Sequence, residues 1–144
     1  MTLALKDYQK KSLAALEFFF SKVRGATSEA AVAGAFNEAR REALGEAAPA
    51  LPYHPISREQ PQIPQVCIRI PTGGGKTLLA AHAIEIAARE YVGTQAPLAL
   101  WLVPSNTIRA QTLDALKTPG HPYRDALLEP YPAHRPTVLY ITEC

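Results

Sequence analysis

A glycine-rich turn followed by lysine and threonine, Thr72-Gly73-Gly74-Gly75-Lys76-Thr77, is the part of the sequence best suited to chemistry. Glycines let backbone N–H groups converge on phosphate oxygens, because a residue without Cβ takes left-handed turns and permits close approach. A helix beginning near Lys76 would add the positive end of its dipole. Lys76 can reach the β- and γ-phosphates, and the Thr77 hydroxyl can ligate Mg²⁺. The predicted nucleotide contacts in this turn are Pro71, Thr72, Gly73, Gly74, Gly75, Lys76 and Thr77.

This turn departs at one position from the pattern G-x-x-x-x-G-K-[ST], because Ile70 stands where the first glycine would be. The glycines that face the phosphates and the Lys-Thr pair are intact. A flexible glycine turn capping a helix is the plain alternative, but it would not explain lysine and threonine at this spot. A phosphate loop by itself fits a kinase, a transporter ATPase, a GTPase or a helicase.

The segment LVPSNTIRAQT, residues 102–112, resembles motif Ia of superfamily 2 helicases. A serine or asparagine can cap the helix that follows, which leaves N–H groups and a hydroxyl for a nucleic-acid phosphate. An arginine one turn later adds a positive charge. An ordinary helix N-cap after an apolar run is the alternative reading of the same residues. The nucleic-acid candidates are Pro104, Ser105, Asn106, Thr107 and Arg109.

The element Leu5-Lys6-Asp7-Tyr8-Gln9 is similar to the L-[KR]-x-Y-Q element that precedes the phosphate loop in these helicases. The resemblance implies that Gln9 reads the adenine edge. A glutamine amide carries a donor and an acceptor together, which matches N6 and N7 of adenine. Taken alone, Tyr8-Gln9 would be read as an ordinary helix face.

Three longer strings resemble the helicase-like subunits of type III restriction enzymes and the DEAD/DEAH-box proteins grouped with them. They are RIPTGGGKTLLAAH at 69–82, LWLVPSNTIR at 100–109 and HPYRDAL at 121–127. The resemblance implies ATP and Mg²⁺ as cofactors and ATP hydrolysis coupled to movement on nucleic acid. It also implies DNA as the expected track and a methyltransferase modification subunit as a partner in a restriction system.

The residue pattern of the chain changes near residue 65, from helical periodicity and a proline-rich stretch to apolar runs that alternate with helical segments. Helical periodicity and caps predict helices over 3–23 and 29–44, with Ser28 as an N-cap and Gly45 as a stop. Five prolines between 49 and 64 predict a linker or surface loop. Further along, apolar runs predict strands at 66–70, 97–103 and 137–141, and the segments between and around them predict helices at 76–90, 106–117 and 123–128.

Strands that alternate with helices are typical of a parallel sheet. We therefore expect an α/β fold: a partial RecA-like P-loop domain at 65–144, after an N-terminal helical segment at 1–48 and a proline-rich linker at 49–64. The acidic motif II of the resembled helicases is missing. Its nearest counterpart is VLYITE at 138–143, where Thr142 stands in place of the Mg²⁺-holding Asp, so this run is read instead as the strand before the motif, cut short. We accordingly assign no catalytic residue. We expect an N-terminal piece of a longer protein, truncated before motif II and inactive alone.

Composition sets the remaining bounds. The 144 residues are 47% hydrophobic and 19% charged with a net charge of +2, which is an ordinary globular balance without a strong basic bias. Two cysteines are too few for a disulfide framework, and no apolar run reaches the roughly 18 residues of a membrane span. The four histidines lack metal-ligand spacing. These features predict a cytoplasmic protein that does not enter a membrane.

Two other function classes stay open at this point. One is a different P-loop phosphotransferase, such as a nucleotide kinase, which would need an acceptor pocket and would not respond to DNA. The other is a binding module or inactive fragment without turnover of its own.

Overall fold

A computed structural model describes residues 4–128 and 137–139 of the chain, and these residues form a helical assembly. Its α-helices are α1 (Asp7–Val23), α2 (Glu29–Leu44), α3 (Lys76–Ile86), α4 (Asn106–Lys117) and α5 (Pro122–Leu128). A π-helical turn, Ala87–Val92, continues α3. The helices pack in the order α2, α1, α3, α5, α4, so that α1 and α3 lie at the centre.

The pairing of α1 with α2 forms the first part of the core. Phe19, Val23 and Val32 are almost completely buried between the two helices, and the rings of Phe19 and Phe36 meet edge to face. The Ser28 hydroxyl accepts a hydrogen bond from the backbone of Ala31 and so caps α2, as the sequence predicts. Gly45 ends the same helix, as predicted.

The proline-rich segment packs against this helical pair. Tyr53 is buried in the core between α1 and α2, and its hydroxyl accepts a hydrogen bond from the backbone of Gln65. The Asn37 amide pairs with Leu51 in both directions, accepting from its N–H at 2.8 Å and donating to its carbonyl at 3.1 Å. The side chains of Tyr53 and Asn37 therefore fix the proline-rich segment, which contains no helix, against α1 and α2.

The predicted α/β, RecA-like fold with its parallel sheet is wrong for the described residues. Residues 66–70, 97–103 and 137–139 form neither helix nor strand, and the described part of the chain contains no sheet; residues 140 and 141 of the third predicted strand lie outside it. A strand needs a neighbouring backbone to complete its hydrogen-bond ladder, and an apolar run does not reveal whether that neighbour exists. Ile70 is the one buried residue of the first run, and it packs among helical side chains. Leu98, Leu100 and Leu102 of the second run are largely exposed.

The second part of the core joins α1 to α3. Leu13 and Leu16 of α1 meet Ile70, Leu79 and Ile86. An ion-pair cluster reinforces this contact, because the Arg89 guanidinium reaches Glu17 of α1 at 2.6 Å as well as Glu85 and Glu90. The hydrogen bond to Glu90 and the neighbouring carboxylate charges raise the pKa of Arg89, so its positive charge persists at every working pH.

Helices α4 and α5 complete the assembly. Leu78 and Ala81 of α3 pack against Ala126 of α5, and the Arg124 guanidinium donates to the carbonyl of Lys117 at 2.6 Å, at the end of α4. No helix among the described residues is long and apolar enough to cross a membrane.

Candidate nucleotide-binding site

The glycine turn that the sequence singles out lies directly before α3. Gly73 and Gly75 have φ values of +76° and +82°, the left-handed region in which glycine is unstrained. The Gly74 N–H donates to the Pro71 carbonyl at 3.0 Å and closes the turn. Gly75 is the N-cap residue, and α3 begins at Lys76, as the motif predicts.

A helix N-terminus of this kind leaves backbone N–H groups without helical partners, and its dipole favours an anion. The Lys76 ammonium donates to the Pro71 carbonyl at 2.9 Å, so the lysine lies folded over the turn. Thr72 and Gly73 are exposed, and Thr77 is half-buried in the first turn of α3. The ammonium and peptide N–H groups at this helix end are donors of the kind that bind phosphate oxygens, and the hydroxyl oxygen of Thr77 is the kind of ligand that Mg²⁺ takes.

Helix α1 brings Gln9 to this turn from 65 residues away. The side chain is 4% exposed, and its Nε2 atom donates to the Gly74 carbonyl at 2.9 Å. The Oε1 atom accepts from the backbone N–H of Lys6 at 2.8 Å, which closes a capping interaction at the start of α1. A primary amide has two N–H groups and two lone pairs, so these two bonds, counted among the described residues, use one donor and one acceptor position of Gln9 and leave one of each.

Tyr8 adds a second donor to the same carbonyl, since its hydroxyl lies 2.9 Å from the Gly74 oxygen. The peptide unit that joins Gly74 to Gly75 is planar and trans, so its carbonyl and its N–H point in opposite directions. Two donors that hold the carbonyl against α1 therefore turn the Gly75 N–H away from α1. The first turn of α1 thus orients one of the backbone donors of the phosphate loop.

Close packing fixes the residue types of the turn. A Cβ on Gly75 would lie 2.5 Å from Nε2 of Gln9, and a Cβ on Gly74 would collide with the side chain of Ile70. Gly73 has open space where its Cβ would be. Gly75 is thus required both by its backbone angle and by Gln9, whereas Gly73 is required by its backbone angle alone.

A pocket of about 250 Å³ opens beside the turn. Helices α1, α3 and α5 all contribute to it, together with the turn and the residues before α1. Its lining consists of Ala4, Lys6, Tyr8, Gln9, Gly73, Gly75, Leu78 and Tyr123. The pocket therefore joins the glutamine element and the phosphate loop, which the sequence could link only through resemblance.

The nucleic-acid candidates lie on a different element. The Ser105 hydroxyl accepts from the Ile108 N–H at 3.3 Å and caps α4, as predicted. Pro104, Asn106, Thr107 and Arg109 are exposed around this helix end. Helix α4 is anchored through Ala115 and Leu116, near its other end. None of these candidates lines the pocket at the phosphate loop.

Five of the pocket residues were not among the predicted site residues, namely Ala4, Lys6, Tyr8, Leu78 and Tyr123. The two aromatic ones both belong to strings on which the resemblance rests. Tyr8 directly precedes Gln9, and Tyr123 lies within HPYRDAL. Their residue types carried a signal, because aromatic rings with a polar tip are common at binding sites. Only the contact between α3 and α5 explains why Tyr123 faces the loop region.

The glycines followed by Lys76 and Thr77 at the N-terminus of α3 match the part of the phosphate-loop pattern that lies on the helix side. The family described as type III restriction enzyme, res subunit, matches residues 2–132, and the chain belongs to this family. Membership places it among helicase-related proteins with ATP-dependent action on nucleic acid. No curated relative and no solved structure matches the chain.

Proposed function

We propose that the turn at 71–77 and Gln9 form an ATP·Mg²⁺ site that serves a helicase or translocase of the type III restriction class. The contact between Gln9 and the Gly74 carbonyl carries this proposal, because it joins a base-selecting amide to a phosphate-binding turn. Gly73, Gly74, Gly75 and Lys76 hold the phosphates, and Thr77 ligates Mg²⁺. The free donor and acceptor positions of Gln9 read the adenine edge.

The nucleic-acid part of the proposal places DNA at the start of α4. Ser105 orients this helix end, while Asn106, Thr107 and Arg109 offer an amide, a hydroxyl and a positive charge to a backbone phosphate. Separate positions for the nucleotide and the strand suit a motor that couples ATP turnover to movement. A methyltransferase modification subunit is the protein partner that this proposal includes.

The test is Mg²⁺-dependent binding of a fluorescent ATP analogue to this chain. We expect Lys76→Ala to abolish binding, because the ammonium that neutralises the phosphates is lost. Gln9→Ala should weaken binding of ATP more than binding of GTP, since the donor and acceptor of the Gln9 amide match the adenine edge. Lys11→Ala is the matched control, because it removes an exposed lysine of α1 that lies outside the pocket.

The outcomes separate the parts of the proposal. Equal binding by wild type and Lys76→Ala would contradict the phosphate site. Equal losses for ATP and GTP in Gln9→Ala would contradict base reading while leaving the phosphate site in place. Measuring hydrolysis with and without single- and double-stranded DNA tests the motor function. A measurable rate that DNA does not change would favour a nucleotide kinase or similar phosphotransferase, and no turnover under any condition would favour a binding module or inactive fragment.

A further inference from the structure

The string HPYRDAL, residues 121–127, has no role in the function proposed above. The structure places it in and just before α5, which packs on α3 and brings Tyr123 into the pocket at the phosphate loop. We propose that the Tyr123 ring is the surface on which the nucleobase of the bound nucleotide stacks. This inference rests on the proposed ATP site and adds a base-binding residue to it.

The Tyr123 ring is held in place from several sides. Its backbone N–H donates to Nδ1 of His121 at 3.2 Å, and the His121 ring meets the tyrosine ring nearly edge-on, with centroids 4.7 Å apart. Tyr123 also packs against the cluster formed by Leu78, Ala81 and Ala126. An aromatic side chain fixed before the ligand arrives loses little conformational entropy on binding.

The chemistry of the pocket fits a flat base with a polar edge. Tyr123, Leu78 and Ala4 supply apolar surface, while Gln9 supplies a donor and an acceptor in the same cavity. Among the described residues that line the pocket, Lys6 is the only charged one and none is acidic. Tyr8 is also present, but its hydroxyl is bound to the Gly74 carbonyl and already has a role in the loop.

The size of the pocket points to one part of a nucleotide. Its volume of about 250 Å³ lies below the roughly 300–1,000 Å³ of sites that enclose a whole drug-sized ligand. This volume suits a base alone, with the phosphates at the exposed turn outside the pocket. Gly73 and Gly75 belong to both the turn and the pocket lining, which is where these two parts of the ligand would join.

The experiment compares ATP with inorganic tripolyphosphate, which has the phosphates but no base. Calorimetric titration of the whole chain with each ligand and Mg²⁺ would use wild type, Tyr123→Ala and Tyr123→Phe. We expect Tyr123→Ala to weaken ATP by about 5- to 100-fold, the range for aromatic–base stacking. Tripolyphosphate affinity should stay within about twofold, as expected for a ligand without a base, and Tyr123→Phe should bind ATP like wild type.

Tyr91→Ala is the matched control. It removes a half-buried tyrosine that packs on Phe20, in a helical contact away from the pocket. This variant should lower stability without changing the ratio of ATP to tripolyphosphate affinity. The same change in that ratio in both alanine variants would mean that Tyr123 acts through helix packing, and the inference would be overturned.

The remaining outcomes are also decisive. Unchanged ATP affinity in Tyr123→Ala, or equal weakening of ATP and tripolyphosphate, overturns base stacking while Lys76→Ala still reports on the phosphate site. If wild type binds neither ligand, both the proposed ATP site and the stacking role of Tyr123 are contradicted. Loss of both ligands in Lys76→Ala, with a selective loss of ATP in Tyr123→Ala, supports both.

Discussion

The side-chain amide of Gln9 donates to the carbonyl of Gly74 across 2.9 Å, and this bond joins the first turn of α1 to the phosphate loop. Gln9 is buried, and its oxygen is held by the N–H of Lys6 at the start of the same helix. A displacement of the first turn of α1 must therefore displace the Gly74 carbonyl, and a displacement of that carbonyl must move Gln9. The position of the glycine turn and the position of the N-terminal helix are therefore physically coupled.

The first prediction concerns Gly75→Ala. A side chain at φ +82° is strained, and its Cβ would lie 2.5 Å from the nitrogen of Gln9. We expect the variant to displace Gln9 and to weaken binding of an ATP analogue by at least tenfold. Fluorescence titration with Mg²⁺ measures this loss.

Gly73→Ala and a double variant provide the control for Gly75→Ala. Gly73 has a similar φ of +76° but open space for a Cβ, so its substitution introduces strain without contact with Gln9. In a Gln9→Ala background, Gly75→Ala should weaken binding only by the cost of backbone strain, because the amide with which its Cβ would clash is absent. Additive effects in the double-mutant cycle would show that the glycine and the glutamine do not interact.

The second prediction concerns the hydroxyl of Tyr8. Tyr8→Phe keeps the ring and removes one of the two donors on the Gly74 carbonyl. Loss of such a hydrogen bond is worth about 0.5–1.5 kcal/mol. We expect affinity for tripolyphosphate to fall by about 2- to 10-fold, because the Gly75 N–H is less well oriented. The affinities for GTP and ATP should fall equally. A larger loss for one of the two bases would contradict a role of the Tyr8 hydroxyl that is limited to the loop.

Local signals in the sequence predicted helices well and strands poorly. The bounds of α2 and α4 agree with the prediction because Ser28 and Ser105 cap them and the amphipathic pattern ends where the helices end. Such signals act within a few residues along the chain. Strand pairing depends on a distant backbone, so the apolar residues at 97–103 could not reveal that no ladder forms there.

The site was predictable to a similar extent. Glycine spacing and Lys-Thr located the turn and the start of α3, because the motif itself specifies the backbone conformation. The resemblance singled out Gln9 but did not indicate that it binds the Gly74 carbonyl. That contact requires the packing of α1 on α3, which involves side chains such as Leu13 and Leu79. The positions of Tyr8 and Tyr123 beside the turn also depend on non-local packing, that of α1 on α3 for Tyr8 and that of α5 on α3 for Tyr123.

The third prediction concerns Arg89, which lies amid three carboxylates at the contact of α1 with the π-helical turn. Arg89→Gln should lower the free energy of unfolding by about 1 kcal/mol, a small loss because the side chain is half-exposed. Urea denaturation at 0.05 and 0.5 M NaCl measures it, and the loss should shrink at high salt.

Lys22→Gln is the control for Arg89→Gln, because Lys22 pairs with one carboxylate, that of Glu38 at 3.3 Å, and otherwise lies over the Phe18 ring, so its loss should have less effect. The pKa of Arg89 is raised on folding, so its contribution is complete below the ordinary arginine range and is lost only as pH rises through the folded value. The effect of Arg89→Gln should therefore not change between pH 7 and 9. A marked change over that interval would mean that another group is responsible.

The fourth prediction concerns Arg109 at the start of α4. If this helix end contacts a DNA phosphate, Arg109→Ala should weaken DNA binding and lower the slope of log affinity against log salt by about one unit. Fluorescence anisotropy with a labelled duplex and a labelled single strand, at several salt concentrations, measures both quantities. Affinity should fall alike for different sequences, because a phosphate contact carries no base information.

Ser105→Ala separates positioning of α4 from charge. The hydroxyl caps the helix, so its loss should lower stability by about 1 kcal/mol and weaken DNA binding without changing the salt slope. Arg24→Ala is the matched charge control, because it removes an exposed arginine at the end of α1. An equal change of slope in Arg24→Ala and Arg109→Ala would indicate general electrostatic attraction. A specific DNA contact at the start of α4 would then be contradicted. A slope change confined to Arg109→Ala, with an unchanged slope in Ser105→Ala, is the result that a phosphate contact at this helix end requires.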